Sequence, residues 1–62
     1  MLTYDIYLRD RFFHTVTNTT VRPYRSLTNG KYMIDINDCL REALSKFPSL
    51  RPHSSDVRIF IN

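Results

Sequence analysis

"DINDCLREALSKF", residues 35–47, decides the fold class. Its apolar residues Ile36, Cys39, Leu40, Ala43, Leu44 and Phe47 fall at i, i+3, i+4, i+7, i+8 and i+11, one stripe along an amphipathic helix. Asp35 stands where an N-cap side chain accepts a free amide of the first turn, and Asp38 adds a second carboxylate to the positive end. Ile34 and Cys39 occupy the positions of a hydrophobic staple. Glu42 and Lys46 have the i, i+4 spacing of a surface ion pair. Pro48 ends the run, because the residue before a proline avoids helical backbone angles. One such helix hides a single stripe, so the rest of the chain must supply the surface it lies on.

Upstream, "LTYDIYL", residues 2–8, alternates: Leu2, Tyr4, Ile6 and Leu8 share one face, Thr3, Asp5 and Tyr7 the other. That period of two is a half-buried strand. "FFHTVTNTTV", residues 12–21, is rich in β-branched side chains and reads as a second strand. A connection through Arg9, Asp10 and Arg11 sets Leu8 opposite Phe12 and Tyr4 opposite Val16. A shorter one, through Arg9 and Asp10 alone, sets Ile6 opposite Phe13 and Tyr4 opposite Thr15. The longer loop is preferred because it keeps apolar on apolar, although neither contains the glycine such turns favour. Pro23 marks a strand edge or break. Asn29-Gly30 predicts a type I′ turn and a short hairpin pairing "YRSL" with "KYMI", with Leu27, Tyr32 and Ile34 supplying apolar contacts; a plain surface loop is the alternative.

Downstream, "SLRPHSSD", residues 49–56, reads as loop. "VRIFI", residues 57–61, is the last strand, with Val57, Ile59 and Ile61 toward the helix and Arg58 and Phe60 away from it. It is expected to pair beside the first strand. The expected fold is therefore α+β, one small domain over residues 1–62. Three to four antiparallel strands carry one amphipathic helix on one face, in the order β-β-(hairpin)-α-β. Leu40, Leu44 and Phe47 are expected to be buried against Ile6 and Ile59.

A 62-residue chain is one domain at most and has a thin core. Such domains rely on disulfides, a metal or a partner. Cys39 is the only cysteine, and it makes no paired-ligand spacing with His14 and His53, so neither a disulfide nor a metal or cofactor is expected. Association remains, and a homodimer is expected. The start "MLTYDIYLRD" has neither the apolar run of a signal peptide nor that of a membrane span. With one cysteine, that points to the cytoplasm and to no membrane partner. The net charge is +3, and its distribution is lopsided. Arg9, Arg11, Arg22, Arg25 and Lys31 outnumber Asp5 and Asp10 in residues 1–34, whereas residues 35–62 balance four cations against four carboxylates.

Catalysis has little to draw on. Cys39 lies on the apolar stripe, where a cysteine is a protonated core residue. His53 sits between loop residues and His14 among β-branched neighbours. There is no glycine-rich phosphate loop and no HExxH or CxxC spacing. An enzyme is not expected. A nucleic-acid reading rests on arginines among aromatics: Arg9, Arg11, Phe12, Phe13, Arg22, Tyr24, Arg25, Lys31 and Tyr32. Against it, no RNA-recognition run, GXXG loop or helix-turn-helix is present, and the helix carries Asp35, Asp38 and Glu42, which repel phosphate. A protein-binding surface fits the same residues, because tyrosine and arginine are enriched where binding energy concentrates. The candidate partner-binding residues are Tyr7, Arg9, Arg11, Arg22, Tyr24, Arg25 and Phe60, with Phe13 beside Tyr7 and Phe60 on the outer sheet face. The arginines of the two hairpins are expected to form one basic, aromatic patch.

In length and element order the chain is similar to small inhibitors made by phages and mobile elements, polymerase inhibitors and anti-CRISPR proteins among them. The resemblance is one of size and order, and no site residue follows from it. It implies an inhibitor or modulator that binds a larger protein handling nucleic acid. Direct binding of RNA or single-stranded DNA is the alternative.

Overall fold

The computed structural model describes residues 2–62. The elements are β1 (Tyr4–Leu8), β2 (Arg11–Val16), β3 (Tyr24–Arg25), β4 (Tyr32–Met33), α1 (Ile36–Lys46), a run of 3-10 turns (Pro48–Asp56) and β5 (Val57–Ile61). β1 is the central strand of an antiparallel sheet ordered β2-β1-β5, and β3 and β4 form a separate two-stranded ribbon. The fold is a small α+β one, with α1 across one face of the three-stranded sheet. No helix among the described residues is long and apolar enough to cross a membrane.

The β1–β2 hairpin combines both registers considered for it. The turn has two residues, not three: Leu8 pairs with Arg11, and Arg9 and Asp10 both take positive φ, 49° and 65°. Those angles are what a two-residue primed turn needs, here met without glycine. Farther along, Tyr4 does pair with Val16, because the register shifts between Ile6 and Tyr7. Phe13 is the extra residue of the resulting β-bulge. Bulging puts Phe13 and His14 on the same side, and both rings meet Phe47, at 5.3 and 4.9 Å. Phe13 is therefore not on the outer face with Tyr7; Phe12 takes that place.

α1 begins as its sequence requires. Asp35 accepts a hydrogen bond from the Asn37 amide at 2.9 Å, and Asp38 pairs with Arg41. The buried face is rotated from the expected one. Cys39 and Ala43 are fully buried, whereas Leu40, Leu44 and Phe47 are only half-buried and Ile36 is exposed. The small side chains of Cys39 and Ala43 face the sheet, and the larger Leu40, Leu44 and Phe47 lie to one side of them, packed against the margin of the core. The 3-10 run corrects the reading of residues 49–56 as loop, and it supplies Leu50, 1% exposed, to the core. The core proper is Tyr4, Ile6, Val16, Cys39, Ala43, Leu50 and Val57.

Glu42 does not pair with Lys46. It turns toward the sheet and accepts four hydrogen bonds: from the Tyr4 hydroxyl at 2.6 Å, from the Thr19 hydroxyl, and from the Thr20 amide and hydroxyl at 2.7 Å each. Lys46 reaches Asn18 Oδ1 instead, at 3.3 Å. One carboxylate thus ties β1, α1 and the segment leaving β2 together.

Candidate interaction surfaces

The β3–β4 ribbon is built by its loop. The Ser26 amide donates to the Lys31 carbonyl at 2.8 Å, and the Gly30 amide donates to the Ser26 carbonyl at 2.9 Å. These bonds close a four-residue loop over residues 27–30, in place of the expected type I′ turn. Only Gly30 takes positive φ there, 71°. Asn29 acts through its side chain, which accepts from the Lys31 amide at 2.9 Å. Arg25 donates to the Gly30 carbonyl at 3.1 Å and so braces the ribbon. The ribbon hides almost none of its apolar residues. Tyr24, Met33, Tyr32 and Leu27 are 50, 46, 74 and 103% exposed. Leu27 therefore makes no apolar contact within the chain, contrary to the expectation for it. Arg22 and Lys31 add charge beside them. Arg22 lines a hollow of about 560 Å³ at the base of the ribbon with Leu2, Asn18, Val21 and Pro23.

The second surface is the outer sheet face. Tyr7 lies between Phe12 and Phe60, edge to face with each, at centroid distances of 5.8 and 5.2 Å. Phe12 and Phe60 are more than half exposed. With Asp5, Asp10 and Arg58, Tyr7 and Phe60 border a shallow depression of about 340 Å³. The exposed aromatic residues of these two surfaces do not belong to the buried core.

The single basic patch does not form. Arg9 and Arg11 stand at the β1–β2 turn, and Arg9 is paired with Asp56 at 2.9 Å. Arg22, Tyr24 and Arg25 stand beyond the far end of β2, where Arg22 shares its hollow with Leu2. The length of β2 alone separates the groups by about 17 Å. Tyr7 and Phe60 do come together. Leu27, Met33 and Arg58 are surface residues outside the candidate partner-binding set, and Phe12, expected only among the arginines and aromatics of the nucleic-acid alternative, joins Tyr7 and Phe60 on the outer face. An apolar residue in a hairpin is ordinarily packed, which is why patterning places Leu27 among apolar contacts and gives Met33 no surface role. Phe12 was misplaced by the unseen bulge.

Buried chemistry is muted. Burial pushes the Cys39 thiol up, helped by the charges of Glu42, Asp38 and Asp35. Burial likewise raises the Tyr4 hydroxyl, and its bond to Glu42 raises it further. Among the described residues, no three His, Cys, Asp or Glu side chains are grouped to hold a metal ion. Comparison of the chain with protein-family models, with curated proteins and with solved structures gives no significant match.

Proposed function

We propose that this chain is a non-enzymatic binding module that docks on a larger protein through the β3–β4 ribbon and inhibits or modulates it by occupying that surface. The observation that carries the reading is the ribbon itself: four exposed apolar or aromatic side chains, Tyr24, Leu27, Tyr32 and Met33, flanked by Arg22, Arg25 and Lys31. Tyrosine and arginine around an apolar centre is the composition of an interface anchor. The cations suit an acidic partner surface. A lone cysteine, Cys39, buried and with its thiol pushed up by burial, suits a reducing compartment such as the cytoplasm.

The test uses the intact chain as bait in extract of its native host, beside a Leu27→Asp/Tyr32→Ala variant. Both side chains are exposed, so the variant should melt within a few degrees of the parent. A protein retained by the parent after nuclease treatment and lost from the folded variant supports the ribbon. Retention by both moves the interface to the outer sheet face at Tyr7 and Phe60. Capture that disappears with nuclease, together with steep salt-dependent binding of a single-stranded oligonucleotide, would replace the protein partner with nucleic acid.

A further inference from the structure

The two edges of the sheet differ. On β2 the bulge at Phe13 interrupts the ladder, a device that discourages pairing with another strand. β5 has no such guard: it is regular over Val57–Ile61, has no proline or bulge, and carries one charge, Arg58. Its free hydrogen-bonding groups follow from the register. The Asn62 amide donates to the Thr3 carbonyl at 3.0 Å and the Arg9 amide to the Asp56 carbonyl at 3.2 Å. Antiparallel ladders alternate, so Phe60 and Arg58 bond to β1 while Val57, Ile59 and Ile61 point their backbone groups outward. Those of Val57 are already used: its amide donates to the Ser54 carbonyl, and its carbonyl accepts from Arg58 Nη1 at 3.1 Å. What remains is one N–H and one C=O on each of Ile59 and Ile61.

We infer that β5 pairs antiparallel with β5 of a second copy of this chain, with Ile59 opposite the partner's Ile61 and Phe60 opposite the partner's Phe60. This register uses all four free groups of each edge, in four hydrogen bonds related by a two-fold axis. Centring the pair on Ile59 instead would demand the Val57 amide, which Ser54 already holds. On the outer face Phe60 meets the partner's Phe60 directly, joining two rows of Phe12, Tyr7 and Phe60 into one. The two Arg58 side chains are set four residues apart along the strands, about 13 Å, beyond the roughly 8 Å screening length of physiological salt. The result is a continuous six-stranded sheet with both helices on one face. It leaves the β3–β4 ribbons free and does not depend on what they bind.

The whole chain should sediment at micromolar concentration as a species of twice 7.4 kDa. Ile61→Pro removes an outward amide and no bond to β1. It should weaken the dimer about tenfold or more while circular dichroism reports an intact fold. In a Cys39→Ala background, Phe60→Cys should oxidise readily to a disulfide dimer and Ile59→Cys should not, because only facing residues come within disulfide range. A wild-type chain that stays monomeric at 100-fold higher concentration overturns the inference, leaving β5 to a different strand. So does a folded Ile61→Pro variant that dimerises like its parent. Preferential cross-linking through Ile59→Cys overturns the register.

Discussion

Glu42 gathers four donors onto one carboxylate, three of them side-chain hydroxyls and one the Thr20 amide. Burial alone would raise its pKa. The bonds from Thr19, Tyr4 and Thr20 outweigh burial and bring it from an ordinary 4.5 down to about 2. Because the folded value lies below the unfolded one, the stability this group contributes is complete above about pH 5 and is lost as pH falls toward 2. Glu42→Gln should cost roughly 1–3 kcal/mol at pH 7, and the gap to the parent should narrow by pH 3. Urea melts at the two pH values measure it; a gap independent of pH would mean that packing, not charge, was lost. None of this was legible in the sequence. The i, i+4 spacing offers Lys46 as a partner, whereas the real partners lie 22 to 38 positions away. Asp35, by contrast, caps its own helix, and local chemistry of that kind reads directly from the order of residues.

At the scale of elements, β1, α1 and β5 were legible from periodicity and β2 from its β-branched side chains, although β2 ends at Val16 and residues 17–21 leave the sheet; β5 lies beside β1 as expected. The turn between β1 and β2 was not legible, because two non-glycine residues adopt left-handed angles. That backbone costs about 1–2 kcal/mol per residue. Asp10→Gly should relieve it and raise Tm by about 4–8 °C; an unchanged or lower Tm in a calorimetric scan would show the turn to be unstrained. The 3-10 run escaped notice for a different reason. Leu50 is a lone apolar residue among Ser49, Arg51 and Pro52, and one residue makes no period. Since it is buried and Leu44 only half-buried, Leu50→Ala should cost about 2–5 kcal/mol and Leu44→Ala less. Equal losses in denaturant melts would put the buried helix face at Leu40, Leu44 and Phe47 instead.

The whole molecule is longer than its mass requires. Its radius of gyration is 12.2 Å and its extents are 36 × 21 × 19 Å, against about 11 Å for a compact chain of this length. The difference fits a ribbon that hides little of its apolar surface. Amides of the ribbon loop, Ser26 and Gly30, should therefore exchange with solvent about a hundredfold or more faster than those of Tyr4 and Ile6 in the sheet. Uniform protection in native-state exchange would make the ribbon part of the same cooperative unit. The candidate surface was half legible for the same geometric reason. Arginine and tyrosine content announced a binding face, but which of them share it depends on which end of a strand each occupies.

β1 is central in space, yet its two neighbours reach it at very different times. The β2 pairing closes locally, while the pairing of Tyr4 with Ile61 spans 57 positions and that of Leu8 with Val57 spans 49. A ribosome adding about 5–20 residues per second leaves several seconds between the emergence of the two partners. During that interval a nascent chain holds β1 with one side bare and α1 without the strand that completes its seat. Vectorial synthesis thus delivers the sheet unfinished. A nascent chain halted before Val57 would present β1 to whatever strand or chaperone came first.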